Sequence, residues 1–129
     1  MDRLIEAAAR ARQHACALYS GFRVGAALED AEGRVWTGCN IENATYGLTV
    51  CAERVALLKA LSEGARRFRR LAVVTAANTL TPPCGACRQL LWEYAGDLEI
   101  VLADTQGGRE TLRLSQLLPR PFDASYLGR

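Results

Sequence analysis

The sequence predicts an α/β fold, a three-layer α/β/α sandwich around a mixed five-stranded sheet. Helical and strand-like segments alternate along the chain in the order α-β-β-α-β-α-β-β, and short links join them. One segment, "RLAVVTAA" at 70–77, is apolar almost throughout, which is typical of a strand buried on both faces. The 129 residues contain no internal repeat and no linker long enough to divide them, which predicts a single domain over residues 1–129.

The first half of the chain predicts two helices and a hairpin. Residues 2–18 carry apolar side chains at alternating spacings of three and four, as an amphipathic helix does. Segments 22–28 and 34–39 flank the turn sequence "DAEG" and predict a β-hairpin. Thr49 is a suitable N-cap for a helix that runs to about residue 62.

The second half predicts one more helix and the remaining strands. The strand at 70–77 is followed by Pro83, which precedes a predicted helix at 84–94. Segment 98–104 is again short and apolar, and the tight turn "TQGG" separates it from a last strand at 109–114. The sequence "SQLLPRPF" comes next.

Charge and composition exclude several function classes. Sixteen basic residues against fourteen acidic ones leave a net charge of +2, which is too small to require a polyanionic partner. No apolar run approaches the roughly 20 residues that cross a bilayer, and charges interrupt the N-terminal stretch where a signal peptide is apolar. We therefore expect a cytoplasmic protein with no membrane partner and no nucleic-acid partner. In a reducing compartment, five cysteines favour metal or catalytic chemistry over a disulfide framework.

Three cysteines stand at the predicted starts of helices. Cys84 and Cys87 are three residues apart, and Cys51 has the equivalent place on the preceding helix. The free N–H groups and the dipole at a helix N-terminus favour the thiolate, which is the form that binds metal. Three thiolates are one ligand short of a closed tetrahedral zinc site.

The fourth position decides between a structural and a catalytic site. Structural zinc has four protein ligands, whereas catalytic zinc keeps one position for water. Cys16 and Cys39 could supply a fourth thiol, but neither has a pair-like spacing, and both are interpreted as small buried hydrophobic residues. Glu53 offers a carboxylate that could exchange protons with a bound water. Because residues two apart do not share a helix face, Cys51 must lie on the first turn or just before it.

The alternative is that these residues are buried thiols at helix starts, with Glu53 as an acid that complements the helix dipole. Taken singly, each residue favours that interpretation. The joint pattern of C-x-E followed 33 residues later by P-C-x-x-C is far more restrictive and favours metal.

This arrangement resembles the zinc-dependent deaminases of nucleosides and bases, and in particular the small homotetrameric cytidine deaminases. The resemblance covers nearly the whole chain and rests on "YSGFRVGAAL", "GCNIENATYG", "CAERVALLKALSEG", "PCGACRQLL" and "LLPRPF", in that order. The chain departs from the family at Leu18, where proline is frequent, and at Gly21, where a larger polar residue is usual. Neither position is a predicted metal ligand.

The resemblance implies one Zn²⁺ per chain, with Cys51, Cys84 and Cys87 as ligands and water in the fourth place. Glu53 is then the proton shuttle for hydrolytic deamination of cytidine and deoxycytidine to uridine and deoxyuridine. Arg54 is expected to donate hydrogen bonds to thiolate sulfur, which would offset the excess negative charge of three thiolates.

The resemblance also implies a nucleoside-binding set. Asn40 and Glu42, two apart on an extended segment, would hold ribose hydroxyls. Phe22 would lie against the pyrimidine, and the backbone at Ala52 would contact the base edge. The remaining members, expected to enter a neighbouring subunit's pocket in a homotetramer with shared active sites, are Tyr46 and Phe122.

Other functions remain open at this point. A blasticidin-type deaminase would share the fold and the zinc chemistry, although the "NIEN" loop favours a small-molecule nucleoside substrate. A polynucleotide deaminase usually has histidine in place of Cys51 and a more basic surface. A zinc-stabilised nucleic-acid module could use the basic cluster "ARRFRR" at 65–70, although such a run is more often a solvated face.

Overall fold

The computed structural model describes residues 2–76, 78 and 80–128, and it confirms the predicted fold class. The helices are α1 (Asp2–Arg12), α2 (Ala52–Ser62), α3 (Gly85–Ala95) and the short α4 (Leu114–Leu117). The strands are β1 (Val24–Asp30), β2 (Val35–Cys39), β3 (Phe68–Thr75), β4 (Glu99–Asp104) and β5 (Arg109–Arg113). Single 3₁₀ turns lie at Tyr46–Leu48 and Ala124–Leu127.

The order of the strands brings two helix starts to one edge of the sheet. The five strands are ordered β2-β1-β3-β4-β5, with β3 and β4 parallel and the other neighbours antiparallel. Because β2 and β3 are both antiparallel to β1, they run in the same direction and end at the same edge. The helices that follow them, α2 and α3, therefore begin at that edge.

Alternation along the strands divides the core between the two faces of the sheet. On one face, residues such as Leu28, Val73 and Ile100 pack against α2 and α3 in the larger core cluster. On the other face, Ala27 and Val74 pack against α1. The sheet thus has helices on both faces, which is the predicted three-layer arrangement.

Two glycines allow helices to approach the sheet at close range. A Cβ on Gly38 would collide with the Ala52 carbonyl oxygen at the start of α2. A Cβ on Gly25 would collide in the same way with the Ala8 carbonyl oxygen of α1. The two contacts lie on opposite faces of the sheet, so each glycine fixes the position of one helix.

Several predicted boundaries were wrong. The N-terminal helix ends at Arg12 instead of residue 18, because the Cys16 N–H bonds the Asn40 carbonyl (2.9 Å) and the Cys16 carbonyl accepts the Glu42 N–H (2.9 Å). These bonds form a strand-like bridge that a helix would have excluded. Strand β1 begins at Val24, two residues after the predicted start.

The predicted cap of α2 was also wrong. Val50 exchanges both backbone hydrogen bonds with Ile41 (2.9 Å each), so the helix starts later and Cys51, instead of Thr49, is its N-cap. Strand β3 covers 68–75, and the predicted end of that strand at residue 77 lies outside the described residues. No helix in the described part of the chain is long and apolar enough to cross a bilayer.

Candidate active site

Three cysteine thiols meet where α2 and α3 begin. Cys51 and Cys84 are the N-cap residues of the two helices, both with extended backbone. Cys87 lies in the first turn of α3 and is only 1% exposed. The three sulfurs lie within 4.8 Å of one another. The requirement that Cys51 sit on the first turn of its helix or just before it is therefore met.

The spacing of the thiols suits zinc. Tetrahedral zinc with Zn–S bonds of about 2.3 Å holds its sulfurs about 3.8 Å apart, and the Sγ atoms of Cys51 and Cys84 lie 3.8 Å apart. Hydrogen bonding from Cys87 lowers the pKa of Cys51 to about 6, and the same contact together with burial raises the pKa of Cys87. A divalent cation bound here would displace protons from the thiols, because metal binds the thiolate form.

The remaining cysteines do not complete a closed site. Among the described residues, the three thiols are the one group of at least three potential ligands close enough to hold a metal ion. Cys39 is half-buried, and Cys16 is exposed, so the interpretation of Cys16 as a buried hydrophobic residue was wrong. Three protein ligands leave a fourth position, as in catalytic zinc sites.

Glu53 faces this group from the first turn of α2. Its side chain is 5% exposed. Burial raises the pKa of Glu53 to about 7, and the negative charge of Cys51 adds to this effect. A carboxyl group whose pKa is close to neutral can both accept and donate a proton, as a general acid–base must.

Arg54 follows Glu53 on the same turn. Its positive charge contributes to the lowered pKa of Cys51. Its Nε is buried and has no hydrogen-bond partner in the described part of the chain, so the bond expected from Arg54 to a sulfur is not formed by Nε here. An unpaired guanidinium N–H beside a thiol cluster suits a site that gains negative charge when the thiols ionise.

A cavity of about 290 Å³ opens onto the thiols. This volume is near the lower end of the range for small-molecule pockets, about 300–1,000 Å³. The predicted residues that line the cavity are Phe22, Asn40, Glu42, Cys51, Ala52, Glu53 and Cys84. Cys87 lies beneath them in the core. These predicted residues come from four separate segments of the chain, and the fold brings them to one cavity.

Within this cavity the Asn40 amide is engaged by the chain itself. Its Oδ1 accepts the Val24 N–H (2.9 Å), and its Nδ2 donates to the Phe22 carbonyl (2.8 Å) and to Glu42 (3.3 Å). Asn40 is 8% exposed. In this structure, Asn40 holds the segment that carries Phe22 and leaves one Oδ1 lone pair for a ligand.

Tyr46 and Phe122 lie apart from the thiol cavity. Tyr46 is 79% exposed and lines a second cavity of about 320 Å³ on the other side of Glu42. Phe122 is 59% exposed and stacks on Tyr126, with ring centroids 5.7 Å apart. Gln89 Nε2 holds the Phe122 carbonyl at 2.6 Å. Neither aromatic side chain reaches the thiols of its own chain.

Comparison with known proteins assigns the family. The model of the cytidine and deoxycytidylate deaminase zinc-binding region matches residues 1–103. The chain belongs to this family. A cytidine deaminase of Halalkalibacterium halodurans is 50% identical over 127 residues, which cover 96% of each chain.

Two further relatives place the chain within the zinc-binding deaminase family. The crystal structure of a cytidine deaminase from Burkholderia pseudomallei superposes with a TM-score of 0.90 at 48% identity, covering 94% of this chain and 98% of that one. A blasticidin-S deaminase of Bacillus cereus is more distant, at 31% identity over 107 residues, which cover 77% of this chain and 76% of that one.

Sequence reasoning missed part of this deaminase cavity. Thr49, Thr81 and Pro82 line it, and so does Ser20. Ser20 stands inside the motif "YSGFRVGAAL", but an exposed serine in a loop carries no signal of what it bonds. The role of Gly38 was also missed. Gly38 lets α2 approach β2 closely, and this depends on how the two elements pack, which the local sequence does not show.

Proposed function

We propose that this protein catalyses the hydrolytic deamination of cytidine and deoxycytidine, giving uridine or deoxyuridine and ammonia. The observation that carries the proposal is the buried Glu53 carboxylate beside three thiols of zinc-like spacing, at the end of a cavity of about 290 Å³. Family membership and the named cytidine deaminases at up to 50% identity support the same reaction.

Cys51, Cys84 and Cys87 would hold the zinc ion, which makes hydroxide available near neutral pH. Burial of Glu53 keeps its carboxyl group away from bulk water, and its place in the cavity puts it beside the thiols. Glu53 accepts a proton from the attacking water as the water oxygen adds to C4, and passes the proton to ring N3, which leaves C4 tetrahedral. It then moves the proton of the added hydroxyl group to the exocyclic amine, so that the C–N bond breaks, the C4 carbonyl forms and ammonia leaves.

The other cavity residues would orient the nucleoside. Phe22 offers an aromatic surface at the mouth of the cavity, and the free N–H of Ala52 at the start of α2 can bond the base edge. Glu42 accepts hydrogen bonds from sugar hydroxyls. A 5′-phosphate would meet the like charge of Glu42, and this repulsion would oppose its binding.

We further propose a homotetramer in which neighbouring chains complete each active site. Tyr46 and Phe122 carry large, exposed aromatic surfaces outside their own chain's thiol cavity. Helix α2 is apolar on its outward side too, with Leu58 48% exposed, which is unfavourable for a helix that stays in water.

We also propose that the enzyme acts in the cytoplasm, in pyrimidine salvage. Three free thiols at a metal site need a reducing compartment. The basic cluster does not support a nucleic-acid module, because Arg66 bonds the carbonyls of Leu61 and Ala65, and Arg70 pairs with Glu29 at 3.0 Å.

The test is ultraviolet monitoring of the zinc-loaded protein with cytidine, deoxycytidine, CMP and adenosine. We expect turnover of the first two and almost none of CMP. Glu53→Gln should retain zinc and fold but lose at least about 10⁴-fold in kcat, the upper end for loss of a general acid–base. Near-normal turnover by zinc-loaded Glu53→Gln would refute the proton-transfer scheme, and comparable kcat/KM for CMP and cytidine would refute the sugar contact.

A further inference from the structure

Ser20 occupies a junction that the proposed mechanism does not use. It lies in the loop between α1 and β1, where its Oγ–H donates to Glu42 Oε2 at 2.5 Å and its Oγ accepts the Phe22 N–H at 3.0 Å. Its own N–H donates to Glu42 Oε1 at 2.9 Å. One side chain therefore joins the carboxylate proposed to bind the sugar to the residue proposed to lie against the base.

The Glu42 carboxylate is held by four donors in this structure. Oε1 accepts the N–H groups of Tyr19 (3.0 Å) and Ser20, and Oε2 accepts the Ser20 hydroxyl and Asn40 Nδ2 (3.3 Å). The Ser20 hydroxyl bond is the largest cause of the lowered pKa of Glu42. Ser20 thus supplies two of the four bonds that fix the direction and the charge of this carboxylate.

Phe22 depends on the same junction. It precedes β1, so its backbone has no partner in the sheet. Its N–H bonds Ser20 Oγ and its carbonyl accepts from Asn40 Nδ2 at 2.8 Å, so two side chains hold it in place of a neighbouring strand. Gly21, with a φ of +68°, makes the turn between Ser20 and Phe22 that this geometry requires.

We propose that Ser20 is a positioning residue that holds Glu42 and Phe22 in the arrangement that a nucleoside needs. Its one hydroxyl group fixes both the residue that contacts the sugar, Glu42, and the residue that contacts the base, Phe22. A hydroxyl is required because the group must donate and accept at the same time. This inference rests on the proposed function.

The test compares Ser20→Ala with Ser20→Thr. Alanine removes the hydroxyl bonds to Glu42 Oε2 and to the Phe22 N–H, whereas threonine keeps the hydroxyl group. One net hydrogen bond corresponds to about a fivefold change in affinity. We expect Ser20→Ala to raise KM for cytidine about fivefold or more while kcat stays within about twofold, and Ser20→Thr to restore KM. Ser115→Ala is the matched control, because the Ser115 N–H and hydroxyl also bond one carboxylate, that of Asp97, away from the cavity. It should leave KM unchanged.

A substrate without the 2′- and 3′-hydroxyl groups separates positioning from general loosening. If Ser20 acts through Glu42, Ser20→Ala should reduce the preference for cytidine over 2′,3′-dideoxycytidine in kcat/KM. An unchanged KM for cytidine, an unchanged preference, or an equal loss in Ser115→Ala would each overturn the assignment.

A measurement independent of turnover distinguishes this inference from the proposed function. Carbon-13 NMR titration of the zinc-loaded protein should give a higher pKa for the Glu42 carboxyl group in Ser20→Ala than in the unmodified chain. An unmodified chain that leaves cytidine unchanged would contradict the proposed function, and the carboxyl titration would still decide whether Ser20 positions Glu42. An unchanged pKa would refute that positioning.

Discussion

Replacing Gly38 by alanine tests how the fold positions the active site. The added Cβ would lie 2.7 Å from Ala56 N and 3.0 Å from Val55 Cβ, and closer still to the Ala52 carbonyl oxygen. Ordinary contacts between such atoms are about 3.5–4.0 Å. Helix α2 must therefore move away from the sheet by roughly 1 Å, together with its N-cap Cys51 and with Glu53 on its first turn.

The magnitude follows from two effects. Overpacking of a close contact costs about 1–3 kcal/mol of folding free energy, which for a chain of this size lowers Tm by roughly 4–12 °C. A displacement of about 1 Å in a catalytic group can cost about 100-fold in rate. We therefore expect Gly38→Ala to lose stability, zinc affinity and about 100-fold in kcat for cytidine.

Gly25→Ala is the matched control on the opposite face of the sheet. Its Cβ would lie 2.7 Å from Arg12 N, 2.8 Å from Arg12 Cβ and closer still to the Ala8 carbonyl oxygen, so it should displace α1 by at least as much. Helix α1 carries no predicted site residue, and we expect a similar fall in Tm with normal zinc content and kcat. Tm, zinc per chain and kcat would be measured on both variants. Normal zinc and kcat in Gly38→Ala, or equal losses in Gly25→Ala, would refute the reasoning.

Three further predictions concern the metal, the pH dependence and the shared site. Cys84→Ala should lose zinc and melt at a lower temperature, because metal binding is linked to folding; one zinc per chain with unchanged melting would show that Cys84 is no ligand. Burial opposes ionisation of Asp30, but hydrogen bonds from Trp36 and Arg34 outweigh it and hold its pKa at about 2. The Asp30 carboxylate therefore stabilises the fold above its unfolded pKa of about 3.9, and this contribution is lost as pH falls through about 2. Asp30→Asn should lower Tm at pH 7 by an amount that shrinks below pH 4, and a constant difference down to pH 2 would contradict this. Phe122→Ala should raise KM for cytidine at normal zinc content; gel filtration should show an oligomer, and full activity of a dilute monomer would contradict shared sites.

The sequence predicted those parts of the site that depend on local rules. The C-x-E spacing required Cys51 to lie on the first turn of a helix or just before it, and this requirement was met because a helix turn leaves no other way for Cys51 and Glu53 to converge. The positions of the strands along the chain followed from short apolar runs and turn signals, and each predicted strand lies within a few residues of an observed one.

Errors arose where contacts between distant segments replace local preference. The apolar stripe continues past Arg12, but the backbone of Cys16 bonds Asn40 and Glu42, so the helix stops. The helix predicted to start after Thr49 starts only at Ala52, because Val50 pairs with Ile41. Both errors border the cavity, where the chain forms isolated bridges in place of longer elements and so presents side chains from several segments at one point.

The end of β2 explains why the metal site and the nucleoside site coincide. Gly38 lies in β2, and Asn40 is the residue that directly follows this strand. At Gly38 the absence of a side chain lets the first turn of α2 approach the sheet. At Asn40 a buried amide holds the Phe22 segment beside that same turn. A single strand end therefore sets the distance of Glu53 from the sheet and the position of Phe22 over the cavity, and a shift of β2 against β1 would disturb both together.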